Sequence, residues 1–243
     1  MVLPAYNAAR TLADTVAAIP RDVVDHVILV DDASTDDTVA VSRGLGLDTR
    51  VHPENRGYGG NQKTCYRAAL DAGADVVVML HPDGQYDPRL VPAMASLVAL
   101  GRWDLVLGSR VLGRGARHGG MPAWRWVANR ALTRLENLLL DRALSEWHTG
   151  LRAYSRDALE RIPFHRNSDD FVFDNELLVQ AVYLGLEIGE VAGPASYGPE
   201  SSSISPARAA RYGVGVVRCA VATKLARAGV ARPALLAGLT PGR

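Results

Sequence analysis

One stretch constrains the chain more than any other: Val76–Pro88, VVVMLHPDGQYDP. Its apolar run, Val76 to Leu80, follows Gly73-Ala74-Asp75 and reads as a strand buried on both faces of a parallel sheet. The character then changes at once, with His81, Asp83, Gln85 and Asp87 at alternate positions and Pro82, Gly84 and Pro88 between them. Ligands of open α/β sheets bind at the carboxyl ends of strands. A carboxylate, an imidazole and an amide gathered there have the chemistry to hold a hard divalent cation and, through it, a diphosphate. Taken alone, the segment fits a polar turn after a strand equally well.

The first 110 residues alternate strand and helix around that stretch. Met1–Leu3 reads as the stub of a first strand, short enough to expect that the strand starts earlier than Met1, and Pro4-Ala5-Tyr6-Asn7 is the turn that follows. Leu12, Val16 and Ile19 recur at helical spacing in Ala8–Ile19, which Pro20 stops. Val24–Val30 is a second strand ending in Asp31-Asp32, and Ser34 with Asp37 spells a capping box for a helix over Thr35–Arg43. Thr49–His52 is a short third strand. The glycine-rich run Asn55–Asn61 leads into a helix with Cys65, Ala68, Ala69 and Ala72 on one face. It has neither GxGxxG nor GK[ST] spacing, and its glycines either admit a ligand to the backbone or simply make the turn. Leu90–Leu100 is helical, and Asp104–Ser109 is a strand ending at Arg110. The expected architecture is α/β, a doubly wound and mostly parallel sheet flanked by helices.

Beyond it, Gly113–Gly120 is a loop, and Pro122 opens a long helix whose apolar side is Ala128, Ala131, Leu132, Leu135, Leu138 and Leu139. Ser145–Gly150 (SEWHTG) is a polar turn before a strand over Leu151–Tyr154. A helix over Asp174–Leu184, a strand over Leu186–Val191, a serine-rich loop at Pro199–Ser205 and a helix over Pro206–Ala228 complete the chain. The division expected is a catalytic domain over 1–205, with a nucleotide-binding half (1–110) and an acceptor half (111–205), and a basic C-terminal helix and tail (206–243).

With 243 residues, 48% apolar and 22% charged, the chain can bury a full core. A net charge of +1 argues against generic nucleic-acid binding, but it hides an asymmetry. Seven of the 27 Lys/Arg and none of the 26 Asp/Glu follow Glu200, so a +7 tail is attached to a body of net −6. That tail either lies on an anionic membrane surface as an amphipathic anchor, with Tyr212, Val216, Cys219 and Leu225 on one side, or packs on its own acidic body or a second copy. Cys65 and Cys219 read as free thiols of a reducing compartment. No signal peptide or membrane span is evident, and the expected location is cytoplasmic, peripheral on the inner membrane face if the tail is an anchor.

Four segments, in order, resemble the family 2 glycosyltransferases, inverting enzymes of the GT-A fold: LPAYN, VDDASTDDT, HPDGQYDP in place of the family's DxD, and HTGLRAYSRDAL followed by FDNELL. Within the family the likeness is greatest to polyprenol-phosphate sugar transferases of the dolichol-phosphate mannose synthase type. The resemblance implies a nucleoside-diphosphate sugar donor and a Mg²⁺ or Mn²⁺ ion. It implies donor-nucleotide contacts for Pro4, Tyr6, Asp31, Asp32 and Asn61, although Asp31-Asp32 also fits the start of a capping turn. Asp83, with Gln85 and His81, falls at the metal position. His81 replaces the first Asp of DxD, and its nitrogen suits Mn²⁺ better than Mg²⁺, unless it only meets the ribose or a water.

Asp174 and Glu176 fall where the family places its acidic group toward the acceptor, and they equally fit charges favoured at a helix N-terminus. Arg110 is the foremost candidate for an acceptor phosphate, with Arg117 and Arg130 beside it. Glu146 and His148 are a structural or acceptor-orienting pair. Glu200 and three serines stand where the polyprenol-phosphate enzymes carry Arg and Lys. The leading expectation is transfer to a lipid-linked phosphate or glycan. Transfer to a soluble hydroxyl acceptor and nucleotide-sugar binding without turnover are the alternatives.

Overall fold

The computed structural model describes residues 1–197 and 206–242; the serine-rich loop and Glu200 lie outside the described residues. Seven strands form one sheet: β1 (Val2–Ala5), β2 (Ile28–Asp31), β3 (Asp48–Val51), β4 (Val76–Met79), β5 (Leu105–Ser109), β6 (Arg152–Ser155) and β7 (Ile188–Ala192). Their order is β3-β2-β1-β4-β6-β5-β7, and every pair is parallel except those of β6 with β4 and β5. The helices between them are α1 (Ala9–Ala17), α2 (Thr38–Gly44), α3 (Gly57–Asp71), α4 (Val91–Ala99), α5 (Gly115–His118), α6 (Ala123–Leu140), α7 (Arg156–Arg161), α8 (Phe173–Tyr183) and α9 (Pro206–Arg227).

Successive strand residues point to opposite faces, and the core divides accordingly. Val2, Ile28, Val30, Val77, Met79, Leu105 and Leu107 pack with Tyr66, Trp147, Phe173 and Leu177 on one side. Leu3, Leu29, Val78, Leu80 and Val106 pack with Leu12, Val16 and Met94 on the other. The strands of this two-faced core are apolar without alternation, as expected for the Val76–Leu80 run.

The sheet opens where its chain direction of travel reverses, between β1 and β4. These strands pair only at Val2–Met79, with the Leu80 N–H donating to Val2 O at 3.1 Å. Two residues on, the next ladder position facing β4 is Pro4, which has no N–H to give. The strands part there, and the crevice of a doubly wound sheet begins.

Several elements differ from the sequence expectation, among them the expected loop Gly113–Gly120, which contains the short helix α5 (Gly115–His118). The helix α2 starts at Thr38 rather than Thr35, because Ser34 serves Asp31 instead of capping: Ser34 N and Oγ donate to the Asp31 carboxylate at 2.9 and 2.5 Å. The glycine-rich run is the first turn of α3, and its glycines admit protein backbone. A Cβ on Gly59 would stand 2.3 Å from Ser168 O, while Gly59 N donates to Asp169 O at 2.8 Å. The side of α6 expected to be buried is only partly so: Leu138 is 76% exposed and Ala128 and Ala131 are exposed, while Leu132, Leu135 and Leu139 are half-buried. Its buried side is Asn129, Thr133, Glu136 and Leu140, because polar groups beneath the helix supply hydrogen-bond partners. The C-terminal α9 packs on α6 and α8 through Val216, Ala220 and Thr223, leaving Val214, Val221 and Leu225 exposed with its arginines.

Candidate active site

On the donor side, the ends of β1 and β2 are knitted together by their own polar groups. Asn7, at φ +53°, accepts the Thr35 N–H at 2.8 Å through its side-chain oxygen, and the Ala8 N–H donates to Thr38 Oγ1 at 2.8 Å. Asp31 and Asp32 are buried, and each of their four oxygens accepts a protein hydrogen bond. Asp31 is bound by Ser34, while Asp32 accepts from Arg56 N (2.8 Å) and Gly57 N (3.0 Å) and pairs with His52 Nδ1 (2.7 Å). Asp32 thereby holds the N-terminus of α3, a favourable place for a carboxylate. Asn61 is buried too, its amide donating to Val30 O (3.0 Å) and Ala5 O (3.3 Å). Tyr6 is 54% exposed at the mouth of the crevice.

At the end of β4, Asp83 Oδ1 accepts the Gln85 N–H at 3.0 Å. Gln85 is buried, with Oε1 3.4 Å from Arg110 Nη1. The His81 ring lies stacked on Tyr58, 5.3 Å between centroids, with Nε2 3.1 Å from the Tyr58 hydroxyl. Desolvation lowers the His81 pKa, against the pull of Asp83 and Asp174, so the ring is held toward its neutral form. The same Tyr58 hydroxyl donates to Asp174 Oδ2 at 2.6 Å and so ties the strand end to α8.

Asp174 and Glu176, expected together, are separated. Asp174 is buried against Tyr58, its Oδ1 3.8 Å from Arg152 Nη1. Glu176, two residues round the helix, accepts the Ser168 N–H at 2.6 Å, and burial pushes its carboxyl above the ordinary value.

Arg110 and Glu146 form the densest polar contact on the acceptor side. Glu146 is fully buried and accepts from Arg110 N (2.7 Å), Nε (2.9 Å) and Nη2 and from Asn129 Nδ2 (2.8 Å). Burial pushes the Glu146 carboxyl up, but Arg110 and these hydrogen bonds outweigh it and leave it below its ordinary value. The remaining guanidinium reach goes to His148 O (2.7 Å), Tyr197 Oη (3.0 Å) and Gln85. Arg117 lies elsewhere, exposed, its guanidinium 5.5 Å from the Trp126 ring centroid, and Arg130 is bound to Ser145 O.

Sequence reasoning missed Tyr58, Tyr86 and Arg152. Tyr86 Oη accepts the Gly150 N–H at 2.7 Å, and a Cβ on Gly150 would stand 2.7 Å from the His81 ring, so glycine is what lets the 145–150 turn close on the strand end. Arg152 is fully buried on β6, donating to Thr149 O (2.8 Å), Trp147 O (3.2 Å) and Asp174 O (2.7 Å). A guanidinium inside an otherwise apolar strand was the available signal, since buried charge requires partners.

A seven-stranded sheet with one reversed strand, open at β1 and β4 and carrying its polar cluster at the end of β4, defines a glycosyltransferase of the GT-A fold. The family described as Glycosyl transferase family 2 matches residues 1–163, and the chain belongs to that family. It is 32% identical over 203 residues to the undecaprenyl-phosphate mannosyltransferase of Micrococcus luteus, covering 78% of this chain and 80% of that protein. It is 26% identical over 208 residues to the UDP-N-acetylglucosamine–dolichyl-phosphate N-acetylglucosaminyltransferase of Methanococcus voltae, covering 79% and 82%. Among solved structures, glucosyl-3-phosphoglycerate synthase from Mycobacterium tuberculosis, crystallised with Mn²⁺ and UDP-glucose, superimposes with a TM-score of 0.66. That match has 23% identity and covers 95% of this chain and 79% of that one, a likeness of fold.

Proposed function

We propose that the chain moves a sugar from a nucleoside-diphosphate sugar to a lipid-linked phosphate, with inversion at the anomeric carbon. One observation carries this reading. Gln85, of the strand end suited to a cation-bound diphosphate (His81, Asp83, Gln85), lies 3.4 Å from Nη1 of Arg110, the cation suited to an acceptor anion. The names of the relatives from Micrococcus luteus and Methanococcus voltae, which specify polyprenyl- and dolichyl-phosphate acceptors, support the same acceptor class.

The donor set fits a divalent cation that arrives with its substrate. Among the described residues no three His, Cys, Asp or Glu side chains gather as a metal site. An ion of the Mg²⁺ or Mn²⁺ type needs only one or two carboxylates when phosphate oxygens and water complete its shell. Asp83 supplies that carboxylate, with Gln85 and a neutral His81 beside it. Such an ion, when bound, offsets the charge that develops on the departing diphosphate.

The chain's own residues do the rest. Pro4 and Tyr6 line the crevice for the nucleotide, with Asp31, Asp32 and Asn61 fixing the loops around it. Arg110, kept charged by Glu146 and with its five N–H groups given to Glu146, His148, Tyr197 and Gln85, acts on the acceptor phosphate through its charge. An ionised phosphate oxygen attacks the anomeric carbon as the bond to the diphosphate breaks, and no general base is required. Asp174, held by the Tyr58 hydroxyl, takes no proton in this reading.

A second reading, transfer to a hydroxyl acceptor, is favoured by Asp174 Oδ1, which is buried without a hydrogen-bond donor among the described residues, as a general base would be. The Asp174→Asn variant separates the two. A phosphate acceptor should leave transfer within about tenfold of the parent, whereas loss of a base costs about 10²–10⁴-fold. A fall of the larger size would overturn the phosphate reading. For the membrane, α9 supplies Arg208, Arg211, Arg218, Lys224 and Arg227 beside exposed Val214, Val221 and Leu225, which supports peripheral contact with an anionic leaflet. Among the described residues no helix is long and apolar enough to cross a membrane.

A further inference from the structure

Behind the acceptor side lies a buried polar line that the transfer above does not use. Glu136, fully buried on α6, accepts a hydrogen bond from Asn175 Nδ2 through Oε1. Its Oε2 lies 3.3 Å from His148 Nε2, and both atoms are buried without a hydrogen-bond partner among the described residues, so that a proton placed between them would satisfy both. On the far side of the same ring, Nδ1 lies 2.8 Å from the Tyr212 hydroxyl on α9, and the two rings meet edge to face at 5.6 Å. Tyr212 is half-buried, and the charges that bear on its hydroxyl are those of Glu136, Asp174, Arg152 and Arg110. The line therefore starts inside the helix layer and ends at a hydroxyl within range of the charges of Arg110 and Asp174.

Such a line has a direction. A protonated Glu136 donates to His148 Nε2, so the ring carries its hydrogen on Nδ1 and donates it to Tyr212 Oη. The tyrosine hydrogen then points away from the ring. An ionised Glu136 reverses every bond: Nε2–H donates to the carboxylate, Nδ1 accepts from Tyr212, and the hydroxyl hydrogen turns inward.

We propose that Tyr212 binds an anionic oxygen of the acceptor through its hydroxyl hydrogen, with Glu136 and His148 as positioning residues that turn that hydrogen outward. This rests on the phosphate-acceptor reading given above. Burial favours the outward state at neutral pH, pushing the Glu136 carboxyl up to about 8 and His148 down to about 3. The groups facing Glu136 are Asn175 from α8, His148 from the 145–150 turn, Arg152 from β6, and Tyr212 and Cys219 from α9. Burial raises the Tyr212 hydroxyl and takes the Cys219 thiol to about 12, so Glu136 is the member of this cluster that titrates near pH 8.

The test measures donor and acceptor KM separately, for transfer to polyprenyl phosphate, from neutral pH to beyond the Glu136 titration. Parent, Tyr212→Phe and Glu136→Gln are compared. The glutamine amide can donate to His148 and accept from Asn175 at every pH, which fixes the outward state. The parent's acceptor KM should rise through pH 8 while that of Glu136→Gln stays flat. For Tyr212→Phe it should be raised already at pH 7 by about tenfold, the loss of one hydrogen bond to a charged group, and show no further rise. Donor KM should be unchanged throughout. A parental acceptor KM in Tyr212→Phe overturns the inference, as does a Glu136→Gln profile that follows the parent's. If Glu136→Gln fails to fold, Tyr212→Phe decides alone. Absence of transfer to polyprenyl phosphate by the parent itself would instead remove the functional reading, and this inference with it.

Discussion

Replacing Glu146 by Gln tests whether Arg110 is held as a charged, pre-oriented group. The substitution is nearly isosteric and removes one charge from a fully buried site. The parent carboxylate accepts four hydrogen bonds, three of them from Arg110. The amide can accept at one end only; its NH₂ end meets the donors of Arg110, and the guanidinium is left buried without a counter-charge. Removing one partner of such a pair costs about 3–5 kcal/mol, and the acceptor that remains places Glu146→Gln at the lower end, about 3 kcal/mol. At about 2–4 °C per kcal/mol for a chain of this size, the midpoint of thermal unfolding should fall by roughly 6–12 °C.

The sign of the pH dependence follows from the pair. Because the folded Glu146 carboxyl lies below its ordinary value of 4.5, its contribution is complete above 4.5 and is lost as pH falls through the depressed value. The gap between parent and Glu146→Gln, followed by urea unfolding, should therefore narrow in acid. The double change Arg110→Met with Glu146→Leu should recover part of the stability, and transfer should be lost. A Glu146→Gln protein within about 1 kcal/mol of the parent would refute the reasoning, since no buried ion pair worth that little is orienting Arg110.

Gly59→Ala places a methyl 2.3 Å from Ser168 O and 2.7 Å from Phe173 Cβ, and overpacking of that kind should cost up to about 3 kcal/mol in urea unfolding; an unchanged midpoint would show that the loop over α3 yields freely. Glu176→Gln should leave kcat near the parent's, because Glu176 is turned to Ser168 and away from Asp174. Its folded carboxyl is raised, so the parent's stability should decline as pH rises from the ordinary 4.5 through the raised value, and Glu176→Gln should lack that decline. Identical pH–stability curves would contradict this.

Elements with a one-dimensional signature were legible in the sequence. The apolar run of β4, Arg110 at the end of β5 and the alternation that builds a doubly wound sheet all follow from local pattern, and so does the polar cluster at His81, Asp83 and Gln85. Signals that depend on a partner far along the chain were not. The periodicity of α6 favoured its leucine side, yet the helix buries Asn129, Thr133 and Glu136 because Glu146, His148 and Asn175 lie beneath it. Asp174 and Glu176 look equivalent at the start of a helix, and only Tyr58, 116 residues away in sequence, singles out Asp174. The glycines of α3 suggested room for a ligand; the backbone they admit, at Ser168 and Asp169, is likewise invisible locally.

Asp83 is proposed to hold the diphosphate end of the donor opposite an acceptor phosphate. The most direct test of this role is transfer from UDP-, GDP- and dTDP-sugars to polyprenyl phosphate with Mn²⁺, by the parent and by Asp83→Ala, with the anomeric configuration of the product determined. The parent should give a sugar phosphate of inverted configuration, and Asp83→Ala no product. Transfer by Asp83→Ala at the parent's rate, or a product of retained configuration, would contradict the proposal.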